Sequence, residues 1–530
     1  MRKTIVIGLD AGCLDNIMPW VKQGELPCLG QLLADGLYSE LRSIIPSFTA
    51  PAWTSMFTGK NPGKHGIFSF FKYRNHSYVR DIVSAHDIRA KSIWEYLAEC
   101  GKTSIVINVP LTHPARKMRG IVIPGFMAPD IPTCFPANIL QELAEAQINY
   151  QIYSNYEGKL VSPEKKVQGY IAVAETRKKA TLYLAQKYDW DFLFVQFQET
   201  DSVFHQFGKS EHSLRLYRYV DKCVGELVAE LGSGVDVLIV SDHGIGKIKW
   251  RFCLNSWLKK EGLLRVKRGE RKEISSDHAR AKRYATTLSR IASCLSRIGV
   301  TSEEIFQIAI KLKLGFLRGL IPRQWLEQLP KKQIDWGKTK AYCPSASCWG
   351  IRINVKDREP EGIVEKGEEY QALRQNIIEK LQRLRDPEGE LVFDKVLPRE
   401  EYYSGTLTNQ ALDIIFATRN TDYAISDIAM RQVFSPFGRC GHKRDGLFIA
   451  NGPSIKHAGL LKYKLDILDI TPTILHMFGL PIPDDIDGRV LAEIFKPDSD
   501  PARRGVTYKA TGEKRKVKEK IGRLKGSGKI

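Results

Sequence analysis

The segment VLIVSDHGIGK, residues 237–247, joins an apolar run to a carboxylate and an imidazole. Its apolar residues run directly into Ser241-Asp242-His243-Gly244, so a buried strand is predicted to end on a carboxylate beside an imidazole. A plain turn would need only Asn-Gly or Asp-Gly. The placement of Asp242 and His243 therefore indicates that other segments supply partners for these two side chains.

Similar apolar runs recur along the chain and alternate with helical patterns such as 91–100 and 166–187. Strands that are buried on both faces and alternate with helices are typical of a parallel sheet. We therefore predict an α/β fold with a doubly wound, mostly parallel sheet flanked by helices. The predicted strands lie within 3–10, 102–110, 191–201, 235–244 and 445–452.

Three carboxylates follow predicted strands directly: Asp10, Asp201 and Asp242. In doubly wound sheets, ligands bind outside the carboxyl ends of the strands. Any one of the three is ordinarily an N-cap or a turn residue. Together at one edge they would repel one another unless cations were present, so the set favours a metal site.

The composition of the chain leaves several classes of function open. The 530 residues, 43% of them hydrophobic, can bury a large core, and the net charge of +20 indicates either an anionic partner or simply a solubilising surface. A phosphorylated substrate, nucleic acid and an acidic membrane surface are the candidate partners. No apolar stretch reaches the roughly 20 residues of a membrane span, and the opening residues do not resemble an export signal. Ten cysteines without CxxC pairs predict free thiols in a reducing cytoplasm.

The chain divides by composition into three parts. We predict a catalytic core in 1–250 and 335–497, a basic helical insertion in 251–334 and a basic mobile tail in 498–530. The apolar positions of the insertion would form helical stripes that pack against the core, and a lid over the active site is the second interpretation.

Histidines add to the carboxylates. Asp201 and His205 are spaced i, i+4, which places both on one face if a helix starts there. His442 follows Gly441 and precedes the predicted strand in 445–452. A solvated helix face and a surface loop are the ordinary interpretations of these two motifs, whereas carboxylate and imidazole together suit zinc or manganese.

The segment IIPSFTAPAWTSMFTGKNPGKHGIFSF, residues 44–70, supplies a hydroxyl. A helix is predicted to begin near Pro51, which places Thr49 at its N-terminus. There Thr49 is either an N-cap or a nucleophile whose alkoxide a metal and the helix N-terminus stabilise.

The order of these motifs resembles the alkaline phosphatase superfamily. Asp10, Thr49 in PSFTAP, DSVFHQFG, SDHG and the GH at 441–442 resemble most the type I phosphodiesterase/nucleotide pyrophosphatase branch and its prokaryotic phosphohydrolase/phosphomutase relatives. The closing segment 465–491 is similar to that of many members. The resemblance spans residues 4 to about 495.

This resemblance implies two divalent ions, with zinc as the first expectation and manganese as the alternative. Asp10, Asp242 and His243 would hold one ion, with Thr49 as its fourth ligand. The second ion would be held by Asp201, His205 and His442. Two ions about 3.5–4 Å apart suit phosphoryl transfer. The other eight histidines match no motif position and are expected to be structural or to lie on the surface.

The resemblance further implies that Thr49 attacks phosphorus and forms a phosphothreonine. The nucleotide pyrophosphatase branch usually carries Asn three residues after the nucleophile, where this chain has Ala52. The oxyanion donor is therefore sought in the Ala50 backbone N–H, Lys64 or Arg444. Thr49 and Trp53 depart from the sulfatase signature, and the position of the insertion fits the phosphoglycerate mutase plan poorly.

Two classes of function remain open at this point. The first is a metal-dependent phosphoesterase, with a phosphomutase or phosphotransferase of the same superfamily as a variant. The second is a basic polyanion-binding protein on a degenerate phosphatase fold. The complete set of seven ligand positions favours the enzyme.

Overall fold

A computed structural model describes residues 3–511 of the chain, except 75, 160, 232–233, 268–333, 420–421 and 430–431. The strands in this part of the chain are β1 Lys3–Leu9, β2 Leu37–Arg42, β3 Phe71–Tyr73, β4 Arg80–Ile82, β5 Ser104–Ile107, β6 Gly120–Ile123, β7 Phe192–Phe197, β8 Val235–Val240, β9 Gly244–Lys247, β10 Trp250–Cys253, β11 Ala341–Tyr342, β12 Gly350–Ile353, β13 Phe393–Pro398, β14 Ile414–Thr418, β15 Tyr423–Ser426, β16 Phe434–Pro436, β17 Cys440–Lys443, β18 Asp445–Asn451, β19 Gly459–Leu460, β20 Leu465–Asp466, β21 Ile482–Pro483 and β22 Tyr508–Lys509.

The α-helices of the same residues are α1 Leu14–Lys22, α2 Pro27–Asp35, α3 Thr49–Thr58, α4 Pro62–His65, α5 Ile93–Glu99, α6 Ile139–Glu145, α7 Pro163–Lys187, α8 Glu199–Phe207, α9 Glu211–Leu231, α10 Leu254–Lys260, α11 Glu368–Gln382, α12 Arg399–Tyr402, α13 Ile470–Met477 and α14 Asp500–Arg503.

A nine-stranded sheet organises the molecule, in the order β19-β2-β18-β8-β1-β7-β5-β6, with β20 also paired to β2. Strands β8, β1, β7, β5 and β6 are parallel, whereas β18 runs antiparallel to both of its neighbours, β8 and β2. The predicted α/β fold with a mostly parallel sheet is confirmed. The direction of β18 is the feature that sequence patterns did not indicate.

Both faces of this sheet are covered, as the continuous apolar runs predicted. Successive side chains of β1 alternate between two hydrophobic clusters: Ile5 and Ile7 lie in one, together with residues of α1, α2, α7 and α9, and Val6 lies in the other, with residues of α3, α5 and α13. Because a parallel strand has an apolar layer on each side, its polar residues are confined to its ends. The predicted ligand side chains are therefore expected at the rim of the sheet.

A third hydrophobic cluster lies apart from the nine-stranded sheet. It contains Phe252 and Trp257 together with Ile351 and Phe416, and it packs between the sheet β15-β10-β16 and the sheet β11-β12-β14-β13. Residues 251–267 of the predicted insertion join this unit. The rest of that insertion, 268–333, and residues 512–530 of the predicted tail lie outside the described residues, and the division into core, insertion and tail stays a proposal.

Membrane insertion through a helix has no support in this fold. Within the described ranges, every helix is too short or too polar to cross a lipid bilayer.

Candidate metal centre

The predicted ligands meet at the carboxyl edge of the sheet. Asp10 directly follows β1, Asp242 lies two residues after β8, and Asp201 lies in α8, the helix that follows β7. The predicted i, i+4 helical pair is present, since α8 contains both Asp201 and His205. Parallel strands place their carboxyl ends at one rim, so these segments, which are distant in sequence, become neighbours.

His442 reaches the same rim because β18 is antiparallel. The amino end of β18, not its carboxyl end, lies beside the carboxyl end of β8. The short strand β17, which precedes β18, pairs with β9 and places His442 opposite Ile245. Gly244 permits this approach, because a Cβ there would lie 2.2 Å from the carbonyl oxygen of Asp445. The glycine of the SDHG motif is thus a packing requirement.

One group of ligand atoms comes from Asp10, Asp242 and His243. Their ligand atoms lie within 4.8 Å of one another, and all three residues are buried. Nε2 of His243 lies 3.8 Å from Oδ1 of Asp10 and 3.2 Å from Oδ2 of Asp242. The Thr49 hydroxyl oxygen is 3.5 Å from the same Nε2. This is the ligand set predicted for the first ion.

The second group surrounds Asp201. Its Oδ1 lies 3.2 Å from Nε2 of His205 and 3.7 Å from Nε2 of His442, and the two Nε2 atoms are 3.0 Å apart. His243 is also close enough to belong to this group, since it forms a candidate cluster with Asp201 and His442. The two groups adjoin through the stacked rings of His243 and His442, whose centroids are 3.8 Å apart.

Three carboxylate oxygens in this centre are buried and accept no hydrogen bond from the described residues: Oδ1 of Asp10, Oδ1 of Asp201 and Oδ2 of Asp242. An unsatisfied buried polar group costs about 1–3 kcal/mol, and a charged one costs more. These oxygens are the same atoms that face the imidazole nitrogens. Bare oxygens and nitrogens that converge in this way fit divalent cations, and the chemistry of the donors suits zinc or manganese.

The tautomers of two histidines also fit metal binding. Nδ1 of His243 donates to the carbonyl oxygen of Gly244 at 3.1 Å, and Nδ1 of His442 donates to that of Ser47 at 3.0 Å. With the proton on Nδ1, Nε2 presents a lone pair to the centre. Burial lowers the pKa of His243 to about 3, and burial and then His243 lower the pKa of His442, so both rings are neutral at pH 7.

The pKa values of the three carboxylates shift in different directions. Burial, followed by neighbouring carboxylates, raises the pKa of Asp10 well above its usual range, and burial does the same to Asp242. Burial also acts to raise the pKa of Asp201, but His205 and His442 outweigh it and lower the pKa. Asp10 and Asp242 are therefore the carboxylates for which a nearby cation would relieve the largest electrostatic penalty.

Thr49 is the first residue of α3. The helix begins two residues before Pro51, with Phe48 rather than Thr49 as its N-cap, and Thr49 is 2% exposed. Ala50 lies in the first helical turn, where backbone N–H groups have no partner within the helix. The hydroxyl thus lies at a helix N-terminus and beside His243, a position compatible with the predicted nucleophile.

The two predicted substrate-binding residues, Lys64 and Arg444, make hydrogen bonds to groups other than the Thr49 hydroxyl. Lys64 lies on α4, which follows the far end of α3, and its ammonium group donates to the carbonyl oxygen of Asp485 at 2.8 Å and to the Asp487 carboxylate. Arg444 follows His442 by two residues, and its Nε donates to the carbonyl oxygen of Ser43 at 3.0 Å. The substrate-binding roles of both residues stay predictions.

Two further polar side chains touch the centre and were missed in the sequence. Nε1 of Trp53 and Nε2 of Gln196 each donate to Oδ2 of Asp10 at 2.8 Å. Trp53 follows Thr49 by four residues on α3, so its position on the nucleophile's face was readable. Gln196 is a polar residue inside a fully buried strand, which is the signal that could have identified it.

Comparison with solved structures places the fold among known enzymes. Wild-type alkaline phosphatase PafA matches with a TM-score of 0.53 at 14% identity, over 94% of this chain and 99% of that one. Phosphonoacetate hydrolase from Sinorhizobium meliloti 1021, in complex with phosphonoformate, matches with a TM-score of 0.51 at 15% identity, over 89% and 94%. At such identities the likeness concerns the fold.

Comparison with curated proteins finds no match. The sequence itself is more informative, because residues 4–325, more than half of the chain, match one protein family. That match contains six of the seven predicted metal ligands, and the fold brings the seventh, His442, to their side. The chain belongs to the type I phosphodiesterase/nucleotide pyrophosphatase family.

Proposed function

We propose that this protein hydrolyses phosphate esters with two divalent ions and with Thr49 as nucleophile. The observation that carries the proposal is the convergence of three buried carboxylate oxygens that accept no hydrogen bond with the Nε2 atoms of His243 and His442, together with the Thr49 hydroxyl 3.5 Å from Nε2 of His243. The two ions would lower the charge repulsion between the phosphate ester and its nucleophile and would stabilise the leaving oxygen. Family membership supports the same class of reaction.

The side chains divide between the two ions. Asp10, Asp242 and His243, with the Thr49 oxygen, would hold one ion; Asp201, His205 and His442 would hold the other. His243 lies close enough to Asp201 and His442 to adjoin both positions. Zinc is the first candidate, because its ligands are typically imidazole and carboxylate in low coordination numbers, and manganese is the alternative.

Thr49 would act in two steps. First the hydroxyl proton passes to solvent and the threonine oxygen bonds to phosphorus, while the bond from phosphorus to the ester oxygen breaks and the leaving alkoxide takes a proton from solvent. Water would then lose a proton to solvent and bond to phosphorus, and the bond from phosphorus to the threonine oxygen would break. The threonine oxygen regains a proton, and phosphate or a phosphate monoester is released. First-turn N–H groups of α3, including that of Ala50, would donate to the oxygens of the transferred group. If a second alcohol replaced water, the same residues would catalyse phosphotransfer or a mutase reaction.

The test uses chelated protein resupplied with Zn²⁺ or Mn²⁺, assayed on p-nitrophenyl phosphate, bis-p-nitrophenyl phosphate and an aryl phosphonate. Thr49→Ala is expected to lower kcat/KM on the order of 10³-fold or more, because it removes the nucleophile. Thr58→Ala is the matched control, since it deletes a buried hydroxyl from the other end of the same helix. Equal turnover by wild type and Thr49→Ala would overturn the nucleophile assignment.

The polyanion-binding alternative rests on the net charge of +20. If binding were the whole function, the protein would bind heparin or nucleic acid with a steep salt dependence and would turn over none of the three substrates.

For location we propose a reducing cytoplasm. The cysteines among the described residues are free and mostly buried, which supports this proposal.

A further inference from the structure

The carboxylate of Asp10 is held from one side only. Its Oδ2 accepts two hydrogen bonds of 2.8 Å, from Nε1 of Trp53 and from Nε2 of Gln196. Its Oδ1 accepts none from the described residues and faces Nε2 of His243 at 3.8 Å. All four side chains are fully buried, so no solvent competes for these contacts. Two strong donors on one oxygen leave the other as the single atom available to a cation.

The orientation of the Gln196 amide is fixed by a further residue. Nδ2 of Asn108 donates to the Gln196 side-chain oxygen at 2.8 Å and to its backbone oxygen at 3.0 Å. Because the Gln196 oxygen is occupied by this donor, its NH₂ group must face Asp10. Asn108 is itself fully buried. The chain of amides therefore determines which atom Gln196 presents to the carboxylate.

Trp53 connects the same carboxylate to the nucleophile. Trp53 and Thr49 lie four residues apart, and thus on one face of α3, and the indole reaches across the end of β1 to Asp10. Gly8 clears the space for both donors: a Cβ at this position would lie 2.7 Å from Cη2 of Trp53 and 3.0 Å from Cγ of Gln196. The indole N–H therefore forms a direct hydrogen bond between α3 and the residue that follows β1.

We infer that Trp53 and Gln196 are positioning residues that make Asp10 a one-oxygen metal ligand, and that Trp53 also fixes Thr49 relative to that ligand. This rests on the proposed function, since Asp10 is a ligand only if the centre binds cations. Hydrogen-bond partners of metal ligands generally tune affinity by about 10–100-fold.

The first test measures metal affinity without turnover. Chelated protein is titrated with Zn²⁺ against a chromogenic chelator, which reports the two binding constants. Trp53→Phe removes the donor and keeps an aromatic ring. It is expected to lower the affinity for one of the two ions by about tenfold or more. Gln196→Met and Gly8→Ala are expected to weaken the same ion. Trp190→Phe is the matched control: Trp190 is also buried and donates to a backbone carbonyl oxygen, at the opposite edge of the sheet.

The outcomes separate the inference from the proposed function. A wild-type protein that binds neither Zn²⁺ nor Mn²⁺ contradicts the proposed function itself, and a protein that binds only Mn²⁺ is titrated with that ion instead. Wild-type affinity for both ions in Trp53→Phe and Gln196→Met overturns only the positioning role, as does an equal loss in Trp190→Phe. If Trp53→Phe fails to fold, Gln196→Met carries the same test.

A second readout isolates the role of Trp53 toward Thr49. At saturating Zn²⁺, Trp53→Phe is expected to lower kcat at least several-fold more than Gln196→Met does, with similar KM values, because Trp53 alone lies on the helix of the nucleophile. Equal kcat values for the two variants would overturn the connection between Trp53 and Thr49, while the metal titration would still decide the role in holding Asp10.

Discussion

At the scale of single residues, a few buried polar atoms account for the folding free energy that the metal-free centre loses. Oδ2 of Asp242 lies 3.2 Å from Nε2 of His243 without a donor between them, because the proton of that ring is on Nδ1. A lone pair thus faces a carboxylate oxygen in a buried site. Such an arrangement needs a cation, or uptake of a proton by the carboxyl group whose pKa burial raises, and otherwise lowers the free energy of unfolding.

Asp242→Asn tests this cost. The amide NH₂ can donate to Nε2 of His243 and, unlike the carboxyl group whose pKa burial raises, is neutral without taking up a proton, so the chelated variant is expected to be more stable than chelated wild type by about 1 kcal/mol. With Zn²⁺ the order should reverse, because wild type gains binding free energy that the variant loses. Thermal unfolding in EDTA and in Zn²⁺ measures both. A chelated variant that is less stable than chelated wild type would contradict the argument.

His65 is a buried residue outside the centre whose protonation should limit acid stability. Burial, and to a smaller extent Lys60, lowers its pKa to about 3, and its ring contacts Ser55 and the backbone N–H of Ile67. The unfolded state therefore binds a proton near pH 6.5 that the folded state refuses until about pH 3. The free energy of unfolding falls as pH decreases across this window.

His65→Gln should flatten this slope, which for one group approaches about 1.4 kcal/mol per pH unit. Denaturant unfolding at pH 7, 6 and 5 measures it in the variant and in wild type. His457→Gln, at an exposed position, is the control and should keep the wild-type slope. An unchanged slope in His65→Gln would show that other groups control the loss of stability at low pH.

At the scale of elements, α2, a helix that packs against the sheet, depends on a cap from a segment distant in sequence. The first turn of α2 is capped from α9: the carboxylate of Asp221 accepts from the backbone N–H of Cys28 at 3.0 Å and from that of Leu29 at 2.7 Å. Asp221 is 1% exposed. This single side chain satisfies two N–H groups that the helix itself cannot bond.

Asp221→Ala is expected to lower the free energy of unfolding by about 2 kcal/mol, at the upper end for a lost cap, because two buried N–H groups lose their acceptor. Chemical denaturation gives the value. Glu230→Ala, which removes an exposed carboxylate from the same helix, should change stability by less than about 0.5 kcal/mol. Similar losses in both variants would exclude a specific capping role.

At the scale of the whole molecule, the charge is distributed unevenly. Residues 512–530 contain eight Lys or Arg and only two Glu, so positive charge is concentrated in this segment. The seven predicted ligands all lie outside it, between residues 10 and 442. A chain that ends at Thr511 is therefore expected to keep the phosphoesterase activity and metal affinity of the full chain and to bind heparin more weakly. Activity assays and a salt series of heparin binding measure both. A loss of turnover in the shorter chain would place part of the active site in the deleted segment.

The sequence sufficed where a local rule fixes the geometry. Buried runs predicted β1, β7 and β8, and parallel strands put Asp10 and Asp242 at one rim. The spacing of Asp201 and His205 needed only a helix. What could not be predicted depends on contacts between segments distant in sequence: the reversed direction of β18, the hydrogen bonds of Trp53 and Gln196 to Asp10, and the small sheets between residues 250 and 436. Apolar runs carry no information about strand direction or partner.

The position of β18 has a consequence for biosynthesis. This strand inserts between β2 and β8, and its amino end brings His442, so both neighbours have an unpaired edge until the ribosome has made more than four-fifths of the chain. A nascent polypeptide of the first 250 residues already contains six of the seven predicted ligands but lacks the strand that joins β2 to β8. Assembly of the candidate metal centre is thereby postponed until translation is nearly complete.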